Sequence, residues 1–425
     1  MRGPCSIASR CRKRWIKRSR EEPAIVLDLV KLAKQMQGMG QQLTQESQAA
    51  RQRLAAAQEL LAQVQAEQDT WVAQLHQWRD RLEFVAAEPI EPLGQRQAIA
   101  PAPDAHSLIA TDGSQIAPSH HEIAYCYLLN TGRVALHYGQ QRYPLLDSLP
   151  EIFYKPEDLY ISRQWGITTE DWMGHRRTVA EAEALADLGA DLAHSIATGN
   201  RKDAPPTLAM VDGSLIYWFL DRMPGPAVER ILPPILAAWE RLRLAGIPLV
   251  SYLSAPRSGE AANFLRLKTC TQLTPDCKTH CPGQADAAPC NRLKPLRDAV
   301  LWSALLAAGE RGPLWRSNAR ILDDYGRHRV YFCYLHGGPE VARVEMPEWV
   351  ARDPAQLDRA LSLVLSQVQK GYGYPIALAE AHNQAVVRGS DRARFFSLLE
   401  REMVKAGLRH IGTSYKEARK RNSIA

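Results

Sequence analysis

Two triplets are the first carriers of chemistry in this chain, Asp112-Gly113-Ser114 and Asp212-Gly213-Ser214. Each follows an apolar run, Leu108-Ile109-Ala110 and Leu208-Ala209-Met210-Val211, so each aspartate reads as the carboxylate at the end of a buried strand. Asp-Gly is also a common turn pair, and for either triplet alone a plain turn is the simpler reading. Two together favour a site, because strand ends are where sites form in open α/β sheets. If the strands are neighbours, Asp112 and Asp212 face one crevice. Their repulsion there calls for a divalent cation.

A third acid follows from helix phase. Between 170 and 197, Glu181, Leu185, Leu188 and Leu192 are spaced four, three and four, which puts Glu181 on the inward face. Glu183 falls outward with Asp187 and Ala190 and is the fallback. The plain alternative is an edge-of-core Glu181 paired with Arg176 or Arg177. Hard oxygen ligands suit Mn2+ or Mg2+, and two such ions can activate a water and stabilise a leaving oxygen. Strand Asp, helix Glu, strand Asp is the arrangement of ribonuclease H-like nucleases.

Four cysteines form a second constellation. Cys270, Cys277, Cys281 and Cys290 have the spacing Cys-x6-Cys-x3-Cys-x8-Cys, in a loop with Pro275, Pro282, Gly283 and Pro289. Four thiolates can hold Zn2+ or an iron–sulfur cluster, and His280 could replace one ligand. No Cys-x2-Cys pair is present, so the spacing matches no common zinc ribbon, and free thiols are the alternative. Any such role is structural, since so short a loop lacks its own core.

The elements that position these groups read as a mixed α/β sheet with surrounding helices. Strands are expected at 107–112, 122–129, 133–138, 207–212 and 248–253. Asn130-Thr131-Gly132 is expected to turn a hairpin. Val330–Leu335 and Val341–Val344 form another around Gly337-Gly338. Helices are expected at 170–197, 227–245, 295–308, 355–370, 375–387 and 391–406. Residues 22–86 read as one long helix. Its seam Leu54, Ala57, Leu61, Val64, Gln68, Trp71, Leu75, Trp78, Leu82, Val85 has coiled-coil spacing. That seam packs on the protein's own body, joins a homodimer or meets a partner. The expected organisation is a basic tail at 1–21, a helical segment at 22–88, and a catalytic domain at 105–425 with a Cys-rich insertion at about 270–290.

Composition narrows the class. Of the 425 residues 45% are hydrophobic and 23% charged, which excludes a disordered chain. No run approaches ~18 apolar residues, so no membrane span is expected. The net charge is +7 from 53 basic and 46 acidic residues, but eight basic residues lie in 1–20. The remainder is 45 against 46, so the basicity belongs to a tail that touches nucleic acid or an acidic membrane, or is simply solvated. With no export signal, a reducing cytoplasm is the expected compartment.

Several further segments, in order, give the chain a resemblance to the NurA family of DNA-end-resecting nucleases. They are IATDGS at 109–114, MVDGSL at 210–215, PLVSYLS at 248–254, ARVEMP at 342–347, Tyr374-Pro375 with Ala381-His382, and SYKEARK at 414–420. The resemblance covers about 105–420. It implies a ribonuclease H-like core, Mn2+-dependent 5′-to-3′ exonuclease and single-strand endonuclease action in double-strand break repair, and a homodimer docked on a hexameric HerA-type DNA translocase. Asp112, Asp212 and, less securely, Glu181 match its metal acids; His382 and Tyr374 match its late histidine and tyrosine.

His382 also stands by itself, on a helix starting near Pro375. There it ligates metal, holds a phosphate or shuttles a proton, or is a satisfied core histidine. Tyr374 bonds the scissile phosphate or merely packs. Arg343 and Glu345 read as a cross-sheet ion pair. Lys416, Arg419 and Lys420 contact the DNA backbone or form a solvated end. The rival reading, from another class, is a non-catalytic DNA-end or translocase-binding subunit retaining the fold. A third is a related enzyme acting on RNA or hybrids.

Overall fold

The computed structural model describes residues 28–36, 38–119, 122, 124–198, 205–283 and 287–407. The basic tail at 1–21 and the expected DNA contacts Lys416, Arg419 and Lys420 lie outside the described residues. The chain divides into two compact units, Met1–Gln52 and Arg53–Ala425. In the first, helix α1 (Leu29–Gln35) is capped by Asp28, whose carboxylate accepts the Lys31 N–H.

The described residues contain an eleven-stranded mixed sheet. Its central part is β1 (His106–Ile116), β2 (Tyr127–Tyr138), β3 (Leu145–Phe153), β4 (Thr207–Asp212) and β5 (Leu249–Leu253), in the spatial order β3-β2-β1-β4-β5. The first three are antiparallel, while β4 runs parallel to both β1 and β5. This order and these directions are the ribonuclease H-like arrangement. The hairpin β6 (Val330–His336) and β7 (Val341–Pro347) continues the sheet antiparallel to β5.

Strand alternation divides the core between two faces. Ile109, Ala209 and Leu249 point toward α4 (Thr169–Thr198) and α5 (Leu232–Leu244). Leu108, Ala110, Leu208, Met210 and Val250 point toward α7 (Pro354–Lys370) and α8 (Ile376–Ala385). Helix α4 starts cleanly because Thr168 Oγ1 accepts the Asp171 N–H at 3.1 Å and donates to its carboxylate at 2.8 Å.

Three expectations change. The segment Asn130-Thr131-Gly132 is no turn: it lies inside the continuous strand β2, opposite Ser114, Gly113 and Asp112. Its turn-like residues serve α8 instead. A Cβ on Gly132 would sit 2.5 Å from the Ala381 carbonyl oxygen, and Asn130 donates to the Ala385 carbonyl at 2.8 Å. Second, the long N-terminal helix is interrupted. Helix α2 (Met39–Ala66) and helix α3 (Gln68–Trp78) are separated at Glu67, whose φ and ψ of −126° and 28° are not helical. Ala57, Leu61, Val64 and Leu75 of the expected seam are buried in one cluster with Phe264, Trp302 and Trp315, so this stripe packs on the protein's own body. Third, helix 227–245 is a short turn, Gly225–Val228, followed by α5, and helix 295–308 shrinks to α6 (Asp298–Ser303).

Candidate active site

Asp112 and Asp212 stand one rung beyond the parallel pair Thr111–Val211. Asp212 ends β4 as expected, whereas Asp112 lies inside β1, which runs past the expected end at 112 to Ile116 because β2 continues to pair with it. Both are in phase with the residues facing α7 and α8, so both carboxylates leave the sheet on that side. There His382, on α8, places Nδ1 2.8 Å from Asp112 Oδ2. Tyr374 donates its hydroxyl to Asp212. Helix α8 is held in place at its end, where the Ala385 carbonyl accepts from Ser114 Oγ at 2.5 Å as well as from Asn130.

Glu181 arrives from the opposite face. Thr111 Oγ1 donates to the Glu181 carbonyl at 2.9 Å, which ties α4 to β1 at this level. The next residue of β1 on that face is Gly113, and a Cβ there would collide with Glu181 Oε1. The missing side chain is the passage through which Glu181 reaches the two aspartates. Its side chain is 20% exposed and lies 3.2 Å from Arg177 Nε. Glu183 is exposed, as the helix phase requires. Asp112, Glu181, Asp212, Arg177, Thr111 and Tyr217 line one cleft of about 250 Å³.

The electrostatics follow from this crowding. Burial pushes the Glu181 carboxyl up to about 7; Arg177 pulls against it, and Asp112 and Asp212 push further. Burial likewise raises Asp212, opposed by the Tyr374 hydrogen bond and reinforced by Asp112. The Tyr374 hydroxyl is raised, first by burial and then by Asp212. Three mutually repelling carboxylates and an imidazole are a hard donor set of the kind that a divalent cation satisfies. Among the described residues, no three His, Cys, Asp or Glu side chains already stand as a closed ion-holding group.

The loop after Asp212 is held by residues that sequence reasoning read only as an ion pair. Glu345 Oε2 accepts from Ser214 Oγ at 2.9 Å and from the Leu215 N–H at 2.7 Å. Its other oxygen accepts from Arg343 Nε at 2.7 Å, and Arg343 Nη1 lies 2.8 Å from Glu260 Oε1. Arg343 and Glu345 are neighbours along β7, two residues apart on one face, rather than partners across the sheet. Two charges between Val341, Ala342, Val344 and Met346 on one buried strand were the available signal.

Cys270, Cys277 and Cys281 are partly buried and Cys290 is buried, all four without disulfides. None of the four lines the cleft that holds the carboxylates. Among the described residues no helix is long and apolar enough to cross a membrane.

The NurA domain model matches residues 106–387. In structure the chain is similar to the NurA nuclease from Sulfolobus solfataricus, with a TM-score of 0.46 and 12% identity over 88% of this chain and 98% of that one. It is also similar to LC9-RNase H1, a type 1 RNase H with the type 2 active-site motif. There the TM-score is 0.18 and the identity 12%, over 39% of this chain and 70% of that one. No curated protein sequence matches it.

Proposed function

The chain belongs to the NurA family, and from that premise we propose that it is a divalent-metal-dependent DNA nuclease, with Asp112, Glu181, Asp212 and His382 as the ion-holding residues. The observation that carries the reading is the convergence of Asp112, Asp212 and Glu181 from two strands and a helix on one cleft. Mn2+ is the expected ion, with Mg2+ a chemically similar alternative. When bound, the ion supplies Lewis-acid polarisation of the phosphate and a nucleophilic water at neutral pH.

The chain's own residues supply the rest. Tyr374 steers Asp212 through its hydroxyl. With Nδ1–H donated to Asp112, His382 leaves Nε2 as the nitrogen that would hold the ion. The His382 side chain is 66% exposed, which leaves room for a strand to approach. Arg177 brings a guanidinium to the cleft and can bind a phosphate as Glu181 turns to the ion. The family membership supports action at DNA ends, both exonucleolytic from 5′ to 3′ and endonucleolytic on single strands. It also supports a homodimer working with a HerA-type translocase in double-strand break repair.

Incubating the purified protein with end-labelled single- and double-stranded DNA tests this, with Mn2+, with Mg2+ and with EDTA. Cleavage that needs the ion and disappears in Asp112→Asn and Asp212→Asn is expected. Folded protein inert under every ion condition would instead favour a non-catalytic subunit.

A further inference from the structure

In the segment 270–290 the described residues are held in place although their own apolar content is small. Of its described residues only Pro275 and Cys290 are buried, and Leu273 is fully exposed. Its fixed points are polar. Arg81 grips Asp276 with two hydrogen bonds, of 3.0 and 2.9 Å, and Thr279 with a third of 2.6 Å. Asp276 in turn caps the single helical turn Cys277–His280, its carboxylate accepting the Thr279 N–H. On that turn the Cys281 N–H donates to the Cys277 carbonyl at 2.9 Å, which puts the two cysteines four residues apart on one side.

The other two cysteines are brought in by Arg266. The 3-10 turn Leu267–Thr269 follows that arginine directly, and Cys270 closes it with an N–H to the Leu267 carbonyl. Across from it, Arg266 Nε donates to the Cys290 carbonyl at 3.2 Å, and Nη2 lies 3.7 Å from the Cys290 sulfur. The Glu83 N–H points at the Cys277 sulfur. Donors aimed at sulfur are the partners a thiolate needs and a neutral thiol does not.

We propose that Cys270, Cys277, Cys281 and Cys290 form a structural tetrathiolate site for Zn2+, separate from the carboxylate cleft. Cys277 packs against the hydrophobic cluster that contains Leu267 and Leu293, each three residues from another of the four cysteines. Among the described residues they do not already stand as a closed ion-holding group. Four sulfurs are a donor set that Zn2+ accepts, and Arg81 and Arg266 hold the turns that carry them. The hard carboxylate cleft and this site differ in donor chemistry, so each selects its own ion. Zinc is the occupant because it accepts four thiolates without redox chemistry.

The inference does not depend on the nuclease reading, and its test needs no nuclease assay. The full chain, purified without chelators, is analysed for zinc, iron and sulfide, and offered Zn2+ if it emerges empty. About one zinc per chain is expected, with four thiols shielded from a thiol reagent until a strong chelator is added. Replacing the zinc by Co2+ should produce thiolate-to-cobalt absorption of a tetrahedral site. Cys281→Ser, at a partly exposed position outside the hydrophobic core, should fold and lose the zinc; Cys290→Ser should lose it as well. Chelation should lower the melting temperature of the wild type and leave Cys281→Ser unmoved. Zinc content unchanged in both variants, or a wild type that takes up none, overturns the site. Iron with sulfide and visible absorbance overturns zinc as its occupant.

Discussion

Glu181 occupies the space that a side chain on Gly113 would fill. The two residues come from opposite sides of the site, the glycine from β1 and the glutamate from α4. In the triplet Asp112-Gly113-Ser114, the aspartate faces His382 while the glycine admits the helix acid from behind. Gly113→Ala should therefore push Glu181 out of the cleft. Overpacking of this kind costs about 1–3 kcal/mol. Misplacement of a catalytic group by an ångström costs on the order of 10²-fold in rate. A thermal melt alongside a DNA cleavage assay separates the two effects. Near-wild-type cleavage would show that Glu181 is not where the reaction needs it.

The helix acid can be discriminated by charge alone. Glu181→Gln keeps the shape and removes the carboxylate from the cleft, whereas Glu183→Gln alters an exposed position. The first should lose most activity and the second keep it. Cleavage rates for the pair, measured at saturating Mn2+, decide between them, and the reverse order would reassign the acid.

The raised Glu181 carboxyl has a defined pH signature. Its ordinary value is 4.5 and its value in the fold is about 7. A carboxyl raised by folding stabilises the protein fully below 4.5, and that stabilisation is lost as the pH climbs through 7. Asp212 is raised as well and contributes with the same sign. In EDTA, the wild type should lose melting temperature relative to Glu181→Gln between those two pH values. A divalent ion added at pH 8 should restore it, since the ion favours the charged form. Parallel curves for the two proteins across that window would contradict the assignment of the shift to Glu181.

Glu345 joins β7 to the loop behind Asp212. Glu345→Gln leaves Arg343 with Glu260 alone and weakens the acceptor for Ser214 and Leu215. Breaking one partner out of a buried ion network costs about 3–5 kcal/mol. Urea unfolding should register that loss. Cleavage in the surviving folded fraction should fall too, because the Asp212 loop loses its anchor; full activity per folded molecule would limit Glu345 to a purely structural part.

Leu75 tests the N-terminal stripe. It is 1% exposed and packs in the cluster with Trp302 and Trp315. Leu75→Ala should cost about 2–5 kcal/mol in unfolding free energy. Light scattering should give the same mass for wild type and variant, since the stripe is buried within the chain. A change of mass would return this stripe to a subunit contact.

Much of this site was legible because its signals are local. Strand alternation and the 3.6-residue helical period are short-range properties of the backbone, so the run before each Asp-Gly-Ser and the phase of Glu181 could be read directly. The order of the motifs likewise pointed to the family that residues 106–387 match. What the periodicity could not supply was the use made of small and polar residues. Asn130-Thr131-Gly132 has turn chemistry, yet it runs through β2, because the room it leaves is taken by α8 and its amide holds the end of that helix. Strand β3 carries no clear strand signature in the sequence, because it lies at the edge of the sheet and contains Pro150, a residue tolerated there but rare in a central strand. The N-terminal stripe had a coiled-coil spacing that three different partners could satisfy, and only the packing of Phe264, Trp302 and Trp315 against it chose among them. Residue type and spacing thus determined which groups could do chemistry. Which of them meet was decided by non-local packing, above all by two glycines, Gly113 in β1 and Gly132 in β2, whose missing side chains let α4 and α8 approach the sheet around Asp112.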